Sequence, residues 1–164
     1  VDQTAPVAAT LALFEDTGTS GTDKVTSNGL VNVTLASDTD HWQYSSDGGT
    51  TWTDGTGTSF TLAEGAYTSV QVKEYDLAGN ARVSTGVAIT VDQTAPVAAT
   101  LALAVDTGTS GTDKNTSNGL VNVTLAGDTD HWRYSSDGGT TWTDGTGTSF
   151  TLGEGVYTSV QVKE

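Results

Sequence analysis

The chain repeats itself: Val1 to Glu74 recurs as Val91 to Glu164 at an offset of 90 residues, and only seven of the 74 aligned positions differ. The differing pairs are Phe14/Ala104, Glu15/Val105, Val25/Asn115, Ser37/Gly127, Gln43/Arg133, Ala63/Gly153 and Ala66/Val156. A period of this size makes each copy a folding unit with its own modest core, so the sequence reads as two members of a tandem array. The expected boundaries are residues 1–91 for the first repeat and 92–164 for a second repeat lacking its last strand. Any chemistry in such an array is shared by every copy, which argues against a single active site and against an enzyme.

Other sequence features narrow the means of stabilisation. The chain has no Cys, so neither disulfides nor thiolate metal sites hold these small domains, and packing or a hard cation is left. It has no Met and no apolar run long enough for a signal peptide or a membrane span, and it reads as an interior fragment of a longer protein. Twenty Asp and Glu against six Lys and Arg give a formal net charge of -14, a surface that repels nucleic acid and anionic lipid. Most of the acids are Asp, the short carboxylate suited to loops and calcium ligation. Solubility in a salty medium would account for the charge equally well; the position of the acids has to decide.

Along one repeat, two-residue alternation, β-branched residues and Gly/Asp/Asn punctuation predict short antiparallel strands and no helix. The expected strands are Pro6 to Phe14, Gly29 to Leu35, His41 to Ser45, Thr50 to Thr53, Ser59 to Leu62, Thr68 to Tyr75 and Arg82 to Val91. Seven strands suggest an all-β, immunoglobulin-like sandwich. Alternation turns Leu11, Leu13, Val31, Val33, Leu35, Trp42, Tyr44, Val70, Val72, Val87, Ile89 and Val91 inward, and leaves Phe14, Val25 and Gln43 outside. Trp42 is expected to fill the core, and Tyr67, after Gly65-Ala66, to bond back to nearby backbone as a tyrosine corner.

Ser45 to Trp52 fits the Asp-box pattern S-x-D-x-G-x-T-W, known from sialidase propellers, and recurs at Ser135 to Trp142. It is a hairpin device found in unrelated folds, and the arginine cluster a sialidase needs is missing, since Arg82 and Arg133 occupy different places in the repeat. A second feature is the loop from Asp16 to Asp23 and its copy from Asp106 to Asp113, rich in Gly, Ser and Thr. Neither EF-hand nor repeat-in-toxin spacing is present, but such a loop can bend carbonyls and two carboxylates toward one cation. Strand alternation places Asp92 at the same pole as Asp16 and Asp23. The opposite pole carries Asp38, Asp40, the loop Asp76-Leu77-Ala78-Gly79-Asn80, and Asp2. Stacked domains would gather Asp16, Asp23 and Asp92 of the first repeat opposite Asp128 and Asp130 of the second. Calcium, with six to eight oxygen ligands in flexible geometry, suits such a mixture better than magnesium. The competing reading is that Asp16 and Asp23 form Asx-turns and that mutual repulsion keeps the array flexible.

The ordered set Val-Asp-Gln-Thr-Ala-Pro, Asp-Thr-Gly-Thr-Ser-Gly-Thr-Asp, Ser-Asn-Gly, Tyr-Ser-Ser-Asp-Gly-Gly-Thr-Thr-Trp and Asp-Leu-Ala-Gly-Asn resembles bacterial immunoglobulin-like tandem repeats of giant, type I-secreted surface adhesins of the repeat-in-toxin and biofilm type. The resemblance spans both copies. It implies an extender region at the outer surface of a bacterial cell, in which calcium at domain junctions stiffens a rod that projects a distal binding domain. Carried over residue by residue, it assigns calcium ligation to Asp16, Asp23, Asp76, Asp92, Asp106 and Asp113, with Asp2 matching Asp92. It also implies neighbouring repeats of the same chain as the partners, with no nucleic acid and no direct membrane contact, and leaves the target of the parent adhesin unspecified. Two alternatives stand beside it. One is a carbohydrate-binding module using Trp52, Tyr44 or Phe14. The other is a fibre subunit whose last strand comes from another molecule.

Overall fold

A computed structural model describes residues 1–18 and 20–164; it is all-β, with no helix among them. The chain divides into two compact units, Val1–Thr94 and Ala95–Glu164. Residues 92–94 belong to the first unit through their hydrogen bonds: Asp92 N donates to Thr26 O at 2.9 Å and Thr94 Oγ1 to Glu64 Oε1 at 2.8 Å.

The first unit contains β1 (Thr10–Leu13), β2 (Val25–Thr26), β3 (Leu30–Thr34), β4 (Thr39–Ser45), β5 (Thr53–Asp54), β6 (Ser59–Thr61), β7 (Gly65–Asp76), β8 (Ala81–Val83) and β9 (Val87–Val91). One sheet has the order β1-β3-β6 and the other β2-β9-β7-β4-β5, with β8 also paired to β7. All pairs are antiparallel except β2 with β9, which is parallel. Val31, Val33 and Phe60 from the first sheet share one core cluster with Trp42, Val70, Val72, Ile89 and Val91 from the second, so the unit is a β-sandwich. Leu11, Leu13, Leu35, Tyr44 and Val87 pack against that cluster, whereas Phe14 and Val25 are exposed. Period-two alternation thus sorts the faces of these strands as the sequence predicts.

The strands differ from expectation where side chains replace backbone partners. The last strand is not continuous from Arg82 to Val91. Ser84 is buried between β8 and β9; its N–H donates to Val72 O, and Val72 N–H donates to Ser84 Oγ, so a hydroxyl takes the place of a ladder carbonyl. The first strand begins at Thr10 rather than Pro6; Pro6 itself, which has no N–H to donate to a ladder, is buried ahead of it. Val25–Thr26, expected to be loop, forms a short strand beside β9.

The Asp-box occupies the turn between β4 and β5, which confines β5 to Thr53–Asp54. Asp47 Oδ1 accepts N–H bonds from Thr50 and Thr51, and Oδ2 accepts the Thr51 hydroxyl at 2.6 Å. Those bonds, the Thr51 hydroxyl foremost, lower the Asp47 pKa from its usual 3.8 to about 2. Asp137 is lowered to about 2 in the same way, chiefly by the Thr141 N–H. Trp52 Nε1 closes the turn on Gly49 O.

The core of the unit is built around three rings. Tyr44 stacks on Phe60 with centroids 4.2 Å apart, and Trp42 lies tilted against both. Trp42 Nε1 donates to Gly57 O at 3.1 Å, which satisfies its one polar atom. Tyr67 OH donates to Ala63 O at 2.9 Å.

The second unit contains β10 (Thr100–Leu103), β11 (Leu120–Thr124), β12 (Arg133–Ser135), β13 (Thr143–Asp144), β14 (Ser149–Thr151) and β15 (Gln161–Lys163). Its sheets are β10-β11-β14 and β13-β12-β15. The pairing of β10 with β11 repeats that of β1 with β3 residue for residue, from Thr100↔Thr124 to Leu103↔Val121.

Two outcomes test these packing statements. A Cβ built on Gly55 would lie 2.4 Å from three atoms of the Trp42 ring, so Gly55→Ala should destabilise the first unit by about 1–3 kcal/mol in urea unfolding, as overpacking does. The lowered Asp47 and Asp137 pKa values mean that the unfolded chain binds these protons more readily than the folded one. Their stabilisation is present above about pH 4, near the unfolded pKa, and is lost as pH falls toward 2. Asp47→Asn with Asp137→Asn should therefore lower Tm at neutral pH and flatten the fall in Tm between those limits.

Candidate metal centre

Each acidic loop is organised by threonines before its carboxylates come into play. In the first unit, buried Thr26 donates its hydroxyl to Glu15 O at 2.8 Å, and Thr26 Oγ1 in turn accepts the Asn28 N–H. Thr17 Oγ1 accepts the Ser27 N–H at 2.7 Å. These bonds draw the two ends of the loop together and set Asp16 against Lys24, whose N–H donates to Asp16 Oδ2 at 3.1 Å. Lys24 has φ 62°, a left-handed conformation that a lysine adopts only under local constraint. Thr107, Thr116, Asp106 and Lys114 repeat the arrangement in the second unit, with Lys114 at φ 61°. Thr19 of the first loop lies outside the described residues.

Asp16 and Asp106 share a further property. In each, Oδ2 is bonded to the lysine N–H while Oδ1 is buried and without a hydrogen-bond partner. A buried carboxylate oxygen without a donor costs about 1–3 kcal/mol or more, so such an atom suits a bound cation. The other predicted ligands are placed differently. Asp23 accepts the Val25 N–H, Asp113 the Asn115 N–H, Asp2 the Thr4 N–H and Asp92 the Thr94 N–H, each two residues ahead. These are Asx-turns on exposed residues, each with a second carboxylate oxygen free of that bond.

Asp76 is buried at the end of β7. Its Oδ1 accepts the Ala78 and Asn80 N–H groups and its Oδ2 the Asn80 side-chain amide, all at 2.8 Å. The Asn80 amide is the main cause holding Asp76 below the ordinary carboxylate range. Asp128 is exposed in a turn, and exposed Asp130 lies 3.1 Å from His131 Nδ1.

Within the first unit, Asp92 lies beside the loop that carries Asp16 and Asp23: Thr90 N donates to Lys24 O, Asp92 N to Thr26 O, and Gln93 Nε2 to Ser27 O. Asp2 meets the other loop, where Asn80 Nδ2 donates to Asp2 O at 3.3 Å. Among the described residues, no three Asp, Glu or His side chains form a cluster able to hold a metal ion. A cation at Asp16 or Asp106 would therefore take much of its shell from carbonyl oxygens and water, which calcium accepts.

Glu74 is a residue that motif reading missed. It is wholly buried, its Oε1 accepts the Ala36 N–H at 2.8 Å and the Thr39 hydroxyl at 2.9 Å, and its Oε2 has no partner. It ties the loop between β3 and β4 to β7. The available signal was parity, since Glu74 follows Val70 and Val72 on the inward face of one strand.

No model of a known protein family matches the sequence, and no curated protein matches it. Thr26 provides the check on this loop. Thr26→Val keeps the shape but removes the hydroxyl shared by Glu15 and Asn28, and should destabilise the first unit by about 1–3 kcal/mol in denaturant unfolding.

Proposed function

We propose that the chain is a non-catalytic structural extender: tandem immunoglobulin-like sandwiches of a bacterial surface adhesin, working outside the cell and stiffened by calcium at the domain junctions. The observation that carries the calcium reading is the buried, partnerless Oδ1 of Asp16, which recurs on Asp106. The extender reading is supported by the near-identity of the two repeats, which multiplies length without adding a new kind of site.

Asp16 and Asp106 would be the primary carboxylate ligands, and the exposed oxygens of Asp23, Asp113, Asp92 and Asp2 the secondary ones. Asp76 contributes mainly by fixing its own loop through Asn80. A bound calcium would supply positive charge at acidic loops of a chain with net charge -14, removing repulsion that otherwise loosens them. Extracellular modules of this kind work with dissociation constants of about 0.1–1 mM. The rod would thus be loose at intracellular calcium and stiffen after export. Tyr44 stacks on Phe60 in the core and Trp52 is half-buried in its turn, which leaves a sugar-stacking role less support.

The test is thermal unfolding of the chain in EDTA, in millimolar calcium and in millimolar magnesium. Calcium should raise Tm by several degrees and magnesium by much less, and Asp16→Asn with Asp106→Asn should abolish the calcium increment. Coincident melts in the three conditions would sink the calcium assignment.

A further inference from the structure

Of the chain's asparagines, only Asn28 and Asn118 are followed by Gly; Asn32, Asn80, Asn115 and Asn122 are followed by Val, Ala, Thr and Val. Asparagine is among the chemically labile residues, and a following glycine, which has no Cβ, leaves its backbone nitrogen open to approach. That nitrogen can attack the asparagine Cγ. A new C–N bond closes a succinimide ring, the bond from Cγ to the side-chain nitrogen breaks, and ammonia leaves with the proton of the glycine N–H. Water then opens the ring at either carbonyl. One product is aspartate. The other is isoaspartate, in which the main chain runs through Cβ and is one carbon longer.

The fold puts this pair where glycine is obligatory. Gly29 is buried at the entry to β3, and a Cβ there would lie 2.1 Å from Leu62 O and 3.4 Å from Val91 Cγ1. Gly29 O accepts the Leu62 N–H at 2.9 Å. On the other side, the Asn28 N–H donates to Thr26 Oγ1 at 3.0 Å, and Asn28 Oδ1 accepts the Leu30 N–H at 3.1 Å. Ring closure requires the Asn28–Gly29 peptide to turn until its nitrogen meets Cγ, and Leu62 and Thr26 hold it against that turn. Asn118 and Gly119 repeat the bonds to Thr116, Leu120 and Leu152.

We propose that Asn28–Gly29 is a self-modification site, closed in the folded first unit and reactive once that unit opens. Its substrate is its own side-chain amide and its co-reactant is water. The isoaspartate product bars return to the fold, because an added main-chain atom between Thr26 and Leu30 either lifts the Asn28 N–H from buried Thr26 or shifts β3 from the register Leu30↔Thr61 and Val31↔Phe60. The aspartate product keeps the main chain, and its carboxylate can still accept the Leu30 N–H. A unit held open thus acquires a permanent chemical mark, whereas one that opens briefly does not. The site does not rest on the calcium reading.

The test incubates the intact chain in EDTA at mildly alkaline pH, folded in sodium chloride or opened in guanidinium chloride. Peptide mapping with electron-transfer fragmentation follows aspartate and isoaspartate at each position. In the opened chain, Asn28 and Asn118 should convert at least tenfold faster than Asn32 and Asn122, and Asn28 at least tenfold faster than in the folded chain, since protected sites react through opening. After removal of denaturant and a short protease pulse, the surviving first units should be depleted of isoaspartate at residue 28 and retain aspartate there. Asn28→Ser, carried through the same incubation, should recover a protease-resistant first unit in full. Equal conversion of Asn28 in the folded and opened chains would overturn the proposal. So would opened-chain conversion no faster than that of Asn32, or isoaspartate at residue 28 surviving the protease as well as aspartate does.

Discussion

Strand β7 pairs with β4, β8 and β9, and its inward face carries Val70, Val72, Glu74 and Asp76 in unbroken alternation. The first two close the centre of the sandwich, and the next two extend the same face toward one pole, where apolar burial gives way to hydrogen bonding. Glu74 gathers the Ala36 N–H and the Thr39 hydroxyl, and Asp76 gathers the loop that follows it. One strand therefore sets both the packing of the core and the shape of two loops. Buried carboxylates are tolerable there because backbone, hydroxyl and side-chain amide donors together meet three of their four oxygens, Glu74 Oε2 being the exception.

The other acidic loop is shaped by different means. Thr17 and Thr26 pull the ends of the loop together, and the lysine at positive φ turns its N–H to Asp16. The aspartate consequently has one oxygen engaged and one buried without a partner. The same geometry recurs in two copies that differ at 14/104, 15/105 and 25/115, so it does not depend on those flanking side chains.

Much of this was legible in the residues. Alternation sorted inward from outward positions, and Trp42 and Tyr67 lie where a sandwich needs a core ring and a backbone tie. What was not legible involved atoms standing in for atoms of another kind. Ser84 substitutes for a ladder carbonyl and so divides a strand that reads as continuous. Thr26 reads as an ordinary polar loop residue, yet is buried as the organising centre of its loop. Glu74 reads as a solvated charge at a strand end, and only its parity betrays burial. Asp2, Asp92 and Asp113 resemble ligands by type, yet each has an oxygen bound to backbone two residues on; the Asx-turn that was the competing reading for Asp16 and Asp23 forms at Asp23 and not at Asp16.

The matching registers of β1 with β3 and of β10 with β11 carry a consequence for folding history. Thr10 to Leu13 and Thr100 to Leu103 are the same four residues, and each would find identical partners in either unit. The local ladder of a mismatched hairpin assembled from both repeats equals that of the correct one, so within the ladder itself the shorter intervening chain favours the native choice, through loop-closure entropy. A chain emerging one repeat at a time avoids the ambiguity, because the first β1 meets β3 before β11 exists. A chain pulled open along its whole length and then released has no such protection, and for these identical strands it is sequence distance that marks which belongs where.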